Sequence, residues 1–436
     1  MTKFLTAFLL AASAFVAQGQ TALTLEEAVA RALANNFQIE VANLQTEIAA
    51  NNNSWGQTSA LPSISLNAAY TSNVNDQSQN PTAFIKAKLI SNGIQAGGTL
   101  NWTLFDGFGM FATKRQLELL EEQSEGNASL VIENTVQGIV LAYYNALLQQ
   151  EKLQVLSEVI QLSKDRLEYM EARKELGVAT SFEILQFENS IIADSTNYLL
   201  QKLAYENSLR NLNLLMSEQQ DTPWELITEM APPAANYEFS TLWNEVKNLN
   251  QTMRNQMVNL LIAEQETRIA QSRMYPVVGF NAGITDTQSQ FRAGELEGEG
   301  ITLNYFGNFT LNFNLYNGGK TRRALQNAQI REEMARISID DIASKVQTEL
   351  ANTFYLYNAQ KAIFAMTAEH VENQRKALDM AADRFNNGVI SSFDYRASQL
   401  AYLNAAMQRV ESLSNLLSTH TNLVRLSGGL TKSAGV

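Results

Sequence analysis

Two periodicities alternate along this chain, and each occurs twice. Ile64, Leu66, Ala68 and Tyr70 alternate with Ser63, Ser65 and Asn67, and Ile94, Ala96, Gly98, Leu100, Trp102 and Leu104 alternate with Gln95, Gly97, Thr99, Asn101 and Thr103. This period of two predicts strands over about 63–71 and 94–105. Val278, Phe280, Ala282 and Ile284 repeat the pattern, as do Ile301, Leu303, Tyr305, Gly307, Phe309, Leu311, Phe313 and Leu315. They predict strands over about 277–284 and 301–315, broken in phase only by Phe306. After each pair the period becomes helical. No Gly or Pro occurs from Lys320 to Asn387, and 68 residues at about 1.5 Å each make a helix of roughly 100 Å. In the first copy Ile132, Ile139, Ala146, Leu153, Ile160 and Leu167 recur every seven residues, with Ala343, Leu350, Tyr357, Phe364, Val371 and Leu378 in phase in the second. A sustained heptad favours coiled packing of neighbouring helices, and these positions are read as packing residues.

The two copies are one unit written twice. Leu104-Phe105-Asp106-Gly107 recurs as Leu315-Tyr316-Asn317-Gly318, and Gly177-Val178 as Gly388-Val389, both 211 residues later. Gly177 and Gly388 mark hairpin tips over 177–181 and 388–392, where glycine takes a positive φ and Thr or Ser caps the returning helix. Residues 20–217 are therefore assigned to a first repeat and 241–428 to a second. The 218–240 segment, with Pro223, Pro232 and Pro233, reads as a linker or capping segment, and 429–436 as a tail.

Alternation also describes a half-buried strand of a soluble sheet. Three features favour a membrane: spanning length, an uncharged polar face of amides and hydroxyls, and Tyr70, Trp102, Phe105, Tyr305 and Tyr316 near strand ends, where aromatic girdles lie. The intervening 72–93 and 285–300 read as long polar loops. Four strands cannot close in hydrocarbon, where each unpaired backbone group costs several kcal/mol. The chain must share a barrel. Two chains would give eight strands and a filled interior, whereas three would give twelve and leave a passage.

Composition fixes the compartment. Lys3, the apolar run Phe4 to Val16 and the small residues after it form a secretory leader over 1–19, and that run is too short for a membrane anchor. No cysteine is present, so neither disulfides nor thiolate metal sites contribute. Loss of Lys3 leaves 31 basic against 44 acidic residues, a net of −13, which argues against nucleic acid and against peripheral binding to anionic lipid. No other apolar run reaches the length of a membrane helix.

These features together resemble the TolC family of outer-membrane efflux and secretion ducts over nearly the whole mature length. The resemblance rests on Leu23-Thr24-Leu25-Glu26-Glu27-Ala28 with Asn35-Asn36, on Leu61-Pro62, on Leu104-Phe105-Asp106-Gly107 and its copy, and on Arg384-Phe385-Asn386-Asn387-Gly388 through Ser392-Phe393-Asp394. It implies a mainly α fold with β: helical hairpins forming a periplasmic α-barrel, and a transmembrane β-barrel completed by three chains. It further implies a homotrimer in the outer membrane of a Gram-negative bacterium, in contact with outer-membrane lipid, docked to a periplasmic adaptor and an inner-membrane pump, and passively conducting their cargo. Asp394, Glu183 and Phe385 match positions near the family's periplasmic entrance, where converging acids attract cations. A second family acid would fall at Ala397, where this chain departs. The competing reading of Asp394 and Glu183 is a solvated first turn favoured by the helix dipole; that of Phe385 is packing of the tip.

Nothing supports an enzyme. His370 and His420 stand 50 residues apart on helices, and no metal set or phosphate loop is present. No cofactor is implied. The rival function is a periplasmic coiled-coil structural or adaptor protein, although adaptors usually carry one hairpin where this chain has two. The cargo is left open.

Overall fold

The computed structural model describes residues 21–430; the leader over 1–19 and the end of the expected tail lie outside the described residues. Strand β1 (Thr21–Leu23) leads into helices α1 (Leu25–Asn35) and α2 (Phe37–Asn52), then the hairpin β2 (Ser63–Asp76) and β3 (Lys88–Phe105). Helix α3 (Gly109–Glu175) and the returning α4 (Ser181–Met216) complete the first repeat. After β4 (Trp224–Leu226) the order recurs as α5 (Phe239–Leu249), α6 (Gln251–Ser272), β5 (Val277–Ala293), β6 (Leu296–Asn312), α7 (Lys320–Asn386) and α8 (Ser392–Leu426). Helices α3 and α7 each have 67 residues.

The chain divides into two compact units. One holds the residues up to Asn43, Asn127–Arg254 and those from Ala343 on; the other holds Leu44–Gly126 and Asn255–Ile342. The first has two cores. Leu23, Ile139, Tyr143, Leu212, Met216, Trp224 and Leu226 form one, in which the Tyr143 hydroxyl donates to the Leu23 carbonyl at 2.7 Å. Leu156, Met170, Phe187, Leu378, Phe385, Tyr395 and Tyr402 form the other, so both helical hairpins share it near their tips. Beyond Ala146 the buried seam of α3 moves to Leu156, Ser163 and Met170, while Leu153, Ile160 and Leu167 are half-buried. A heptad has two seam positions, and the neighbouring helices occupy the second one there.

The repeat extends to details that periodicity does not report. Asn36 and Asn250 end α1 and α5 in extended conformations. The Asn36 side chain accepts from the Gln38 N–H at 2.9 Å and donates to Leu215 O at 3.0 Å. The Asn250 side chain accepts from the Met253 N–H at 3.1 Å and donates to Leu426 O at 3.2 Å. Each amide thus starts one helix and ties it to the end of the returning helix of its hairpin.

Three sequence expectations change. Half of the 72–93 stretch and most of the 285–300 stretch are strand: β2 and β3 continue to the pair Asp76–Lys88, and β5 and β6 to Ala293–Leu296. In these extensions Ser72, Asn92, Gln290 and Glu299 stand in the phase of the apolar face, among a few apolar residues such as Val74 and Ile90, so no clean alternation marks them. Strand β6 ends at Asn312, opposite the first residue of β5, and Phe313–Leu315 therefore have no partner strand within the described chain. The 218–240 segment holds β4, which pairs in parallel with β1, and Leu430, in the expected tail, is 7% exposed within the core.

Candidate functional site

The four long strands form one antiparallel sheet in the order β2-β3-β5-β6, so the two hairpins, one from each repeat, join through β3 and β5. Its register puts Ile64 opposite Leu100, Trp102 opposite Phe280, Phe280 opposite Phe309 and Ile284 opposite Tyr305, which builds one apolar face. That face is uncovered: Leu66 is 87% exposed, Ile301 76% and Phe309 75%. From Ile301 to Leu311 the strand rises about 34 Å, and a tilt of about 40° turns that into roughly 26 Å, the height of a barrel's apolar band. A soluble sheet would bury this face against a second layer.

The opposite face carries Ser65, Asn67, Thr99, Asn101, Asn281, Thr285, Asn304, Asn308 and Thr310, with no charge. The Ser65 and Thr99 hydroxyls share a hydrogen bond of 2.8 Å. Phe306, the residue out of phase, stands opposite Gly283 on this face; a Cβ at Gly283 would lie 2.7 Å from the Phe306 ring and 2.8 Å from the Gly98 carbonyl. The ring fills the space that the glycine leaves.

At the far ends of the long helices, both tips use the same closure. Gly177 (φ +76°) and Gly388 (φ +73°) take the left-handed conformation. The Val178 N–H donates to Arg173 O at 3.0 Å and the Val389 N–H to Arg384 O at 2.8 Å, a 6→1 bond that satisfies otherwise orphaned carbonyls. Thr180 and Ser391 then cap the returning helices, and Glu183 and Asp394 complete capping boxes three residues on. Hydrogen bonds from the Ser391 hydroxyl (2.7 Å) and backbone N–H (3.1 Å) hold the Asp394 carboxyl below its ordinary pKa. Asp394 is exposed and Glu183 half-buried, and the Phe182 and Phe393 rings, 6.0 Å apart, set the two tips side by side. Ala397 is exposed.

Phe385 is placed differently from the two acids. It is 3% exposed, stacks on Tyr395 at 5.3 Å and packs edge-on to Phe187 at 5.9 Å. Its ring therefore braces the tip from inside and lines no surface, because the aromatic pair buries apolar area that an entrance would leave wet. Sequence reading missed the polar contact behind it. Asp194, 1% exposed on α4, accepts from both terminal nitrogens of Arg396 on α8, at 2.8 and 2.6 Å. A signal existed: Asp194 lies one heptad after the buried Phe187, at a position expected to be apolar.

The model of the outer membrane efflux protein family matches residues 28–218 and 242–429. The chain belongs to that family. The match takes in both repeats of this efflux protein and leaves out most of the segment between them. The fold is that of solved outer-membrane channels. The OprN channel matches with a TM-score of 0.75 at 16% identity, covering 93% of this chain and 90% of its own. CmeC of Campylobacter jejuni gives 0.74 at 17%, covering 93% and 85%, and VceC of Vibrio cholerae 0.73 at 16%, covering 93% and 96%. No curated protein matches the sequence. The TolC-type resemblance and the mainly α fold read from the sequence hold, and the chain is an outer membrane efflux protein by family, with the fold of these channels.

Proposed function

We propose that, after loss of a leader over residues 1–19, three copies of the chain build a passive exit duct, each giving four strands to a twelve-stranded barrel. The 20–217 and 241–428 repeats are the two halves of each subunit, and their hairpins form a helical barrel in the periplasm. The homotrimer receives cargo from a periplasmic adaptor and an inner-membrane pump, in an efflux or type I secretion system, and catalyses no reaction itself. One observation carries this reading. Among the described residues, the β2-β3-β5-β6 sheet has two open edges and an apolar face with nothing against it, which in a membrane is viable only as part of a closed barrel. At the tips, Glu183 and Asp394 from three subunits would converge as an acidic, cation-attracting entrance.

Single-channel conductance in planar bilayers tests the duct. Glu183→Gln with Asp394→Asn removes the charges while keeping groups able to complete the capping boxes. A cation-selective wild type and a variant with lower selectivity are expected. Equal selectivity in the two would remove the acidic entrance and keep the duct. Absence of conductance from a protein that stays soluble without detergent would instead support a periplasmic coiled-coil protein.

A further inference from the structure

We infer that each subunit carries a built site for a phosphoethanolamine lipid headgroup where its strands turn into helices. The inference rests on the outer-membrane reading above and goes beyond it by assigning residues to a lipid.

The first observation is a cleft of about 310 Å³ between the start of α3 and the end of α6, lined by Phe108, Phe111, Arg115, Gln265, Arg268 and Tyr275. Phe105 at the end of β3 stands opposite Val278 in β5, which puts the cleft at the membrane-proximal end of both helices. Its apolar wall continues the uncovered band: Phe108 is 64% and Phe111 56% exposed, the two rings lie 6.4 Å apart, and Trp55 meets Phe111 edge-on at 5.8 Å. Aromatic rings of this kind favour the boundary between hydrocarbon and headgroups.

The second observation is an unpartnered polar atom. Gln265 is 4% exposed, and its Oε1 is buried without a hydrogen-bond partner. A buried acceptor left alone costs about 1–3 kcal/mol, so a group that donates an N–H or O–H to it binds favourably. The cations are also available. Arg268 has no ion-pair partner among the described residues, and Arg115 spends one terminal nitrogen on Glu118 at 2.9 Å, leaving the rest of its fork. Two guanidinium groups suit a phosphodiester, and the acceptor suits the ammonium that follows it by two carbons.

The third is a charge distribution that net charge conceals. The chain carries −12 overall, yet no Asp or Glu occurs between Asp106 and Glu118, between Glu266 and Asp286, or between Glu299 and Glu332. Those stretches flank the helix ends of β3, β5 and β6 and hold eight basic residues, among them Lys114, Arg115, Arg268 and Arg273. The acidic net charge that argues against peripheral binding to anionic lipid is thus not spread evenly, and these stretches are locally basic.

The test uses the full chain, purified in detergent, stripped of lipid and titrated in native mass spectrometry. Phosphatidylethanolamine is expected to bind with a Kd at least tenfold below that of phosphatidylcholine, whose quaternary ammonium has no N–H for Gln265. Arg268→Gln should raise that Kd about tenfold, the double Arg115→Gln/Arg268→Gln more, and Gln265→Leu should erase the preference between the two lipids. Arg292→Gln, in the β5-β6 hairpin at the other end of the sheet, should change nothing. Equal affinity for both lipids, or binding unchanged in Arg268→Gln, would overturn the site. So would competition by free phosphoethanolamine or inorganic phosphate at the lipid's own affinity, which would mark a soluble-anion site. Conductance of the same preparations is read separately, so a failed duct reading and a failed lipid site are distinguishable; Arg268 is exposed, and its variant tests the site even where the double variant does not fold.

Discussion

Asp194 and Arg396 form a buried ion pair between the two helical hairpins. The carboxylate is 2% exposed and the guanidinium 14%, with a closest approach of 2.6 Å. Ser163, fully buried on α3, adds a weak third contact at 3.5 Å. Removing one partner leaves a charge without water or counter-ion, which costs about 3–5 kcal/mol; replacing both with apolar residues of similar volume is neutral or stabilising by about 1–4 kcal/mol. Asp194→Ala should therefore raise local opening of the hairpins by a factor of roughly 10² to 10⁴. The double variant Asp194→Leu/Arg396→Met should return most of it. Native-state hydrogen exchange of the α4 and α8 amides reads this directly, because opening between the hairpins exposes those amides without unfolding the strands. Asp194→Ala protection factors within threefold of wild type, or a double variant weaker than both singles, would refute the argument that desolvation dominates this contact.

Two further outcomes follow from local geometry. Gly138 sits inside α3 with nothing within 4 Å of a built Cβ, so Gly138→Ala should stabilise by up to about 1 kcal/mol. Gly107→Ala should do the reverse and destabilise severely, since its φ is +73° and a Cβ would lie 2.4 Å from Ser272 O; thermal unfolding of both variants in detergent checks the contrast. His420 is half-buried against Tyr237 and Tyr357, accepts or donates one bond to the Tyr237 hydroxyl at 2.9 Å, and its partial burial holds its pKa below the ordinary value. Below about pH 6.5 the unfolded chain binds a proton that the native imidazole resists, so this contribution is flat above that pH and destabilises as pH falls through it. The difference in melting midpoint between wild type and His420→Gln should accordingly change between pH 7.5 and pH 5, and a difference that stays constant over that range would contradict the sign.

The hairpin tips show how far a sequence can be read. Gly177 with Thr180 and Gly388 with Ser391 act within a few residues of themselves, so their residue types announce the turn before any tertiary contact forms. The acids at Glu183 and Asp394 were equally visible, and the structure gives each of them a capping box at the start of its returning helix. Phe385 was legible as an aromatic near a tip and illegible as a buried one, because burial depends on where Tyr395 and Phe187 arrive.

What the sequence determined by itself is everything set by period and by local backbone preference: strand against helix, the doubling at a constant offset, the tips and the uncharged polar face. Tertiary structure alone decided which elements meet. The union of the two β-hairpins through β3 and β5, the parallel pairing of β1 with β4, the placement of Phe306 over Gly283 and the choice of Arg396 as partner for Asp194 all join residues distant in the chain. Their energies exist only after the chain has closed on itself, so no local period reports them. The cleft at the strand ends belongs to the same class: Arg115 and Arg268 are unremarkable surface residues in the sequence, and become a pair only because α3 and α6 come together beneath the sheet.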